Sequence, residues 1–299
     1  MTLALGSSSC PLPPASRVAF ATLGGLLLIA ATALRSEAGA WTQPVGGYYG
    51  RIGFAGIDTH ARFDGSGDRV AYQTSGTIAR DAEYRSRELR GYGEYGVLER
   101  LTLYGSLSYK RLAVEEQAAL HETNGPGDLY LGARGRLTRG GPPLSIAGEV
   151  KLATGYSTDE NPSLGAGQSD ATIKVLSGLS GARWYATGDL GWTHRAGSFQ
   201  NQLVSSLEAG GRAGSRLGGR AVLRWARSIG ELRALPAGGF DPALASPRML
   251  VLDGAVSADV GANVSLELAV SSTLSGNNSL AGNTLEIAVV RSGSLGRAR

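Results

Sequence analysis

The chain has 299 residues, 42% of them hydrophobic and 18% charged, with a net charge of +4. That charged fraction excludes a protein built of membrane-spanning helices, and scattered arginines on so small a net charge argue against a nucleic-acid partner. The 45 glycines do not recur at every third position, which excludes collagen, and each lowers helix stability by about 1 kcal/mol relative to Ala.

The first element is a targeting segment. Arg17 is followed by an uncharged, mostly apolar run from Val18 to Leu34, then by Arg35, Ser36, Glu37 and Ala38-Gly39-Ala40. A positive stretch, an apolar stretch and a small-residue site are the marks of a secretory leader. Residues 1–40 are therefore expected to be removed before Trp41, leaving 41–299 as one domain. The single cysteine, Cys10, precedes the apolar run, so the mature chain would have no disulfide and no lipid-anchor cysteine.

Past Trp41 one rhythm prevails. In 101–110, Leu101, Leu103, Gly105, Leu107 and Tyr109 alternate with Thr102, Tyr104, Ser106, Ser108 and Lys110. Successive strand residues point to opposite faces, so such segments are two-faced strands. Twelve are expected, at roughly 46–57, 87–97, 101–111, 127–138, 144–156, 170–181, 183–194, 202–213, 216–227, 249–261, 264–275 and 283–292. Connections after even-numbered strands are short, and those after odd-numbered strands generally longer, notably 58–86, 112–126, 157–169 and 228–248. Leading into the 112–126 connection, the helix-favouring stretch 110–120 is expected to form a loop helix at the mouth.

Short and long connections in alternation, with strands long enough to cross a bilayer at a tilt, indicate an all-β fold: a transmembrane, antiparallel, up-and-down β-barrel of about twelve strands. A secreted β-sandwich, the alternative, would have shorter strands. The barrel implies the outer membrane of a Gram-negative bacterium, with short turns and both termini in the periplasm. Its expected partners are outer-membrane lipid and lipopolysaccharide, the barrel-assembly machinery and a small-molecule solute.

Each face of the strands has its own candidates. Tyr48, Tyr95, Tyr109, Tyr156, Trp184, Trp192 and Trp225 fall on the apolar face, mostly near strand ends, and are expected to form interfacial girdles. Arg134, Arg136, Glu149, Lys151, Arg212, Arg216, Arg220 and Arg224 fall on the polar face and are expected to line the lumen. Arg216, Arg220 and Arg224 recur every four residues, which reads either as a basic ladder for anions or as arginines paired with Glu208, Asp189 and Asp253.

Other chemistry is poorly supported. Gly91-Tyr92-Gly93-Glu94-Tyr95-Gly96 matches G-x-G-x-x-G, but it lies inside an alternating strand, where a dinucleotide site needs a strand before it and a helix after it. Without paired His or Cys spacings no metal centre is expected, nor any cofactor. Asp58, His60 and Asp64 are the candidates for a hydrolase at the rim, and Asp159-Glu160-Asn161 reads as a solvated loop tip.

Several short motifs carry a resemblance. They are Gly39-Ala40-Trp41-Thr42-Gln43-Pro44 with Gly46-Gly47-Tyr48-Tyr49; Phe63-Asp64-Gly65 with Arg69; Glu94-Tyr95-Gly96 with Arg100-Leu101-Thr102-Leu103; and Gly125-Pro126-Gly127-Asp128 with Leu131-Gly132-Ala133-Arg134. In their order and spacing over 39–156 the chain resembles the bacterial barrel family named for the meta-pathway of phenol degradation, which includes the XagA-like outer-membrane proteins. The resemblance implies an outer-membrane barrel passing small, often apolar molecules, with no catalytic residues; XagA-like members are associated with exopolysaccharide systems. Many outer-membrane proteins end on an aromatic residue, whereas this chain ends Gly296-Arg297-Ala298-Arg299. The expected function is a passive, non-enzymatic channel for small, aromatic or hydrophobic molecules. The rival readings are a largely closed barrel serving exopolysaccharide export or surface interaction, and the rim hydrolase.

Overall fold

The computed structural model describes residues 39–72, 82–116, 119–197, 199–230 and 247–295. Nearly all of the expected leader lies outside the described residues, as do 73–81 and 231–246 in two of the connections. Sixteen strands are present among the described residues: β1 (Gly47–Thr59), β2 (Ala61–Phe63), β3 (Arg69–Ala71), β4 (Glu83–Leu98), β5 (Leu101–Glu116), β6 (Ala119–Pro126), β7 (Leu129–Arg136), β8 (Leu144–Leu152), β9 (Asp170–Ser180), β10 (Trp184–Arg195), β11 (Asn201–Ala213), β12 (Leu217–Ile229), β13 (Arg248–Gly261), β14 (Val264–Asn277), β15 (Ser279–Ala281) and β16 (Asn283–Ser294).

Twelve of these strands form a closed, antiparallel, up-and-down barrel, and each of the twelve expected segments is one of its staves. Closure is made by β1, which pairs with β4 on one side (Tyr48 opposite Tyr95) and with β16 on the other (Gly47 opposite Ser294). Closure pairs each stave with a neighbour on both sides, and β6, hydrogen-bonded to β5 alone, extends the same sheet as a thirteenth strand. The short strands β2, β3 and β15 form a separate sheet above the long-connection end.

The outer wall is apolar. Ile52, Phe54, Leu89, Leu103, Leu190, Leu207, Leu268 and Ile287 are exposed, a distribution suited to a face that meets lipid rather than water. Outward-facing aromatic side chains lie towards both ends of it. Tyr48, Tyr95 and Trp184 lie near the short-turn end, and Tyr109, Trp192 and Trp225 near the long-connection end. Along β10, Trp184 and Trp192 are separated by about 26 Å at ordinary strand rise, or about 20 Å of height at a barrel strand's tilt, most of a barrel's apolar band.

Three expectations are corrected. The stretch 110–120 is not a helix: β5 continues to Glu116, and β6 returns from Ala119, paired from Lys110 opposite Gly125 to Glu116 opposite Ala119. Cross-strand pairing and burial of Leu112, Ala113 and Val114 override the local helix propensity. The strand expected at 144–156 ends at Leu152; two residues on, the Thr154 hydroxyl shares its proton between the carbonyls of Pro126 and Gly127, which ties the chain to the start of β7. Tyr156 is thereby removed from the lipid-facing girdle and donates its phenol to Asp128. Finally, β12 begins at Leu217, which leaves Arg216 exposed in the turn before it rather than on the lumen wall.

Candidate functional site

The lumen is the candidate site, and it is filled at three levels. At the short-turn end the residues preceding β1 fold into the barrel. The Ala40 carbonyl accepts from the Ser145 hydroxyl (2.6 Å), the Gln43 amide donates to the Thr102 hydroxyl (2.8 Å), and the Gln43 side chain donates to Glu94 (2.9 Å). Ala40 is wholly buried against Ala147 and Leu176, and Trp41 and Tyr104 pack on the same cluster. Trp41 also meets Tyr185 edge-on, with ring centroids 6.5 Å apart. Two glycines make room for this segment: a Cβ at Gly178 would come within 2.6 Å of the Trp41 ring, and one at Gly96 within 2.0 Å of the Pro44 carbonyl. The segment thus reaches from β4 and β5 to β8, β9 and β10, across the inside of the wall.

Between the two ends the inward charges are joined in pairs and chains. Glu94 accepts from Arg134 (3.0 Å) and from the Tyr92 phenol (2.6 Å), and both members of the Glu94–Arg134 pair are buried. Arg51 bridges Glu267 (2.8 Å) and Glu286 (2.5 Å). Glu267 also takes Arg220 (2.9 Å), and Glu286 also takes Arg90 (3.3 Å), whose other partner is Glu88. Arg224 makes two bonds to Asp253, at 2.6 and 2.7 Å, and Tyr185 donates to Glu208 (2.5 Å). Pairing of this kind is needed inside a barrel, because an ion withdrawn from water is costly unless compensated. Inward tyrosines lie among these charges, with Tyr49 and Tyr92 packed edge-on at 6.0 Å.

Towards the long-connection end, the 153–169 connection folds over the mouth. Leu164 is buried, and its carbonyl accepts from the Lys110 ammonium (3.0 Å). Beneath it Lys151 binds Asp170 (2.6 Å) and lies 3.7 Å from Asp128, while Arg195 lies 3.7 Å from Asp170 and over the Phe199 ring.

The candidate lumen residues therefore have distinct placements. Arg134, Lys151, Arg220 and Arg224 are inward and ion-paired. Arg212 stands 3.8 Å from Asp259 at the short-turn end. Glu149 faces Lys174 and Asp189. Arg136 donates to the Gly141 carbonyl (3.4 Å) beside a short turn. A continuous basic ladder does not form, since Arg216 is in a turn and its two neighbours in the series are neutralised by Glu267 and Asp253. Trp41, Tyr185, Asp170 and Leu164 are lumen elements that the alternation of the strands did not single out; two of them lie outside any strand.

At the rim, Asp58, His60 and Asp64 have separate partners. Asp58 binds Arg87 (2.8 Å), His60 lies 3.9 Å from Glu83, and the Asp64 carboxylate accepts from the amides of Ser66, Gly67 and Asp68. They form no acid–base relay.

No protein-family model matches the chain, and no curated protein does. Among solved structures, an outer membrane channel from Pseudomonas putida F1 superposes with a TM-score of 0.65 at 17% identity, over 87% of this chain and 100% of that one. The NanC porin superposes with a TM-score of 0.51 at 7% identity, over 80% and 98% respectively. At these identities the likeness establishes the barrel fold.

Proposed function

We propose that the protein is a narrow, passive channel of a Gram-negative outer membrane, selecting small molecules and performing no chemistry on them. The observation that carries this reading is a closed barrel with an apolar outer wall, outward aromatics towards both of its ends and a polar, tyrosine-bearing interior. Its overall likeness to a structure described as an outer membrane channel supports it. The inward tyrosines and Trp41 offer flat apolar faces among paired charges, which suits small solutes with an aromatic or hydrophobic part. Substantial filling of the lumen favours slow, size-limited passage over bulk diffusion. The short turns and both chain ends would face the periplasm.

Within the same reading, the expected cut, at Trp41 or within two residues of it, narrows to one position. A cut before Trp41 would place a charged α-amino group within the cluster of Ala147, Leu176 and Tyr104, where an uncompensated charge is costly. Ala40, wholly buried and bonded to Ser145, belongs with the barrel. Cleavage after Ala38, with Ser36 and Ala38 as the small residues of the site, leaves Gly39 as the first residue; N-terminal sequencing of outer-membrane protein checks this. Purified protein in planar bilayers should give small, stable conductance steps. Absence of any conductance, together with no uptake of small aromatic solutes into liposomes, would overturn the channel reading.

A further inference from the structure

Near the long-connection end the outer wall carries arginines just beyond the outward aromatics. Arg85 and Arg87 share the outward parity of Leu89 and Tyr95, and Arg111 shares that of Tyr109. Arg87 stands directly opposite Arg111 in the β4–β5 register, an arrangement of like charges that destabilises a sheet. The chain relieves it internally: Arg87 has Asp58 at 2.8 Å, Arg111 has Glu122 at 3.1 Å, and Arg85 has Glu115 at 2.5 Å.

The same juxtaposition occurs across β12 and β13, where Arg227 stands directly opposite Arg248. Both are exposed, and they share the outward parity of the opposed pair Trp225 and Leu250. Here no carboxylate among the described residues lies within ion-pair distance of either guanidinium. The pair sits two residues, about 7 Å along the strand, beyond Trp225, where an interfacial aromatic gives way to the headgroup layer. Below it the wall is apolar, with Leu223 and Leu252 on the same face. Two adjacent guanidiniums present several donors in forks that match a phosphate, and the wall beneath would receive the acyl chains attached to it.

We propose that Arg227 and Arg248 form a binding site for the lipid-borne phosphate of lipopolysaccharide in the outer leaflet. The inference rests on the outer-membrane reading above. A bound phosphate would neutralise the opposed arginines as Asp58 and Glu122 neutralise Arg87 and Arg111. A mobile phosphate ion lacks the acyl chains that would hold it there.

The test measures the unfolding midpoint of the purified barrel in detergent, with and without added lipopolysaccharide. The wild type should be stabilised by lipopolysaccharide, and much less by a dephosphorylated preparation or by inorganic phosphate at the same phosphate concentration. The variant R227Q/R248Q should lose more than half of that stabilisation and bind lipopolysaccharide about tenfold more weakly. Arg248→Glu supplies an internal carboxylate, so this variant should be more stable than wild type without lipid and gain little from it; it guards against a loss that merely reflects misfolding. Arg291→Gln, on the outer wall near the other end of the barrel, should keep the full response. Equal stabilisation of wild type and R227Q/R248Q would overturn the site, as would an inorganic-phosphate response equal to that of lipopolysaccharide. Fractionation of cells reports on the outer-membrane reading separately from either result.

Discussion

Glu94 and Arg134 show how far residue-level reading reaches. Alternation along β4 and β7 places both on the inward face. That they meet depends on register: Glu94 stands opposite Tyr104, and Arg134 opposite Thr102, on the intervening β5. Register between strands is set by turns and by burial of one face, so a list of inward charges is legible in the sequence while most of the pairing among them is not; of the three carboxylates expected for the arginine series, Asp253 meets Arg224. Arg220 instead takes Glu267, two strands away. The buried pair carries a prediction. Glu94→Ala leaves Arg134 buried and unpaired, which should cost about 3–5 kcal/mol of stability. The double change Glu94→Leu with Arg134→Met should recover most of that loss, because apolar replacement of a whole buried pair is often tolerated. Denaturant unfolding of the refolded barrel, followed by tryptophan fluorescence, measures both; a double variant no better than the single one would refute the account.

Among elements, the staves were legible because a lipid-facing wall and a polar lumen impose period-two alternation on every crossing strand. The stretch 110–120 was misread because its residues suit a helix as well as a strand, and only the neighbouring β4 and β6 decide between them. The fate of 153–169 was hidden for a related reason: Leu164 is buried by a connection folding back on the barrel, and no local periodicity records that. One turn is open to improvement. β13 and β14 are joined by the two residues Ala262 and Asn263, both with positive φ (54° and 60°). Asn tolerates that conformation, whereas Ala pays a steric penalty from its Cβ. Ala262→Gly should therefore stabilise the barrel by about 0.5–1 kcal/mol, after allowing for the greater freedom of Gly in the unfolded chain. A shift of the unfolding midpoint in the opposite direction would show that the strain is relieved elsewhere.

For the whole molecule, the alternation of short and longer connections announces a barrel and its two ends, but the stopper at the short-turn end is invisible to it, since Gly39–Pro44 precedes the first strand and has no period of its own. The ends can be assigned by labelling. Single cysteines at Gly65 and Asn161 should react with an impermeant thiol reagent on whole cells, whereas cysteines at Glu99 and Gly141 should not; the reverse pattern would invert the barrel. Conduction tests the interior. The described inward charges are largely matched in sign, with Arg51, Arg90 and Arg220 shared between Glu267, Glu286 and Glu88, so the summed field along the lumen should be weak and the wild-type pore nearly unselective. Neutralising one sign should expose the other: replacing Arg220 and Arg224 with Gln frees Glu267 from one of its two arginines and leaves Asp253 without Arg224, and the reversal potential in a salt gradient should move towards cation preference. Trp41→Ala should act differently. It removes the ring lodged against Gly178 and Tyr185 without altering any charge, so conductance should rise while selectivity stays where it was. A Trp41→Ala pore with unchanged conductance would mean that ions pass beside the segment rather than through the space it fills, and a change in selectivity without a change in conductance would mean that the ring acts by holding Gln43 on Glu94.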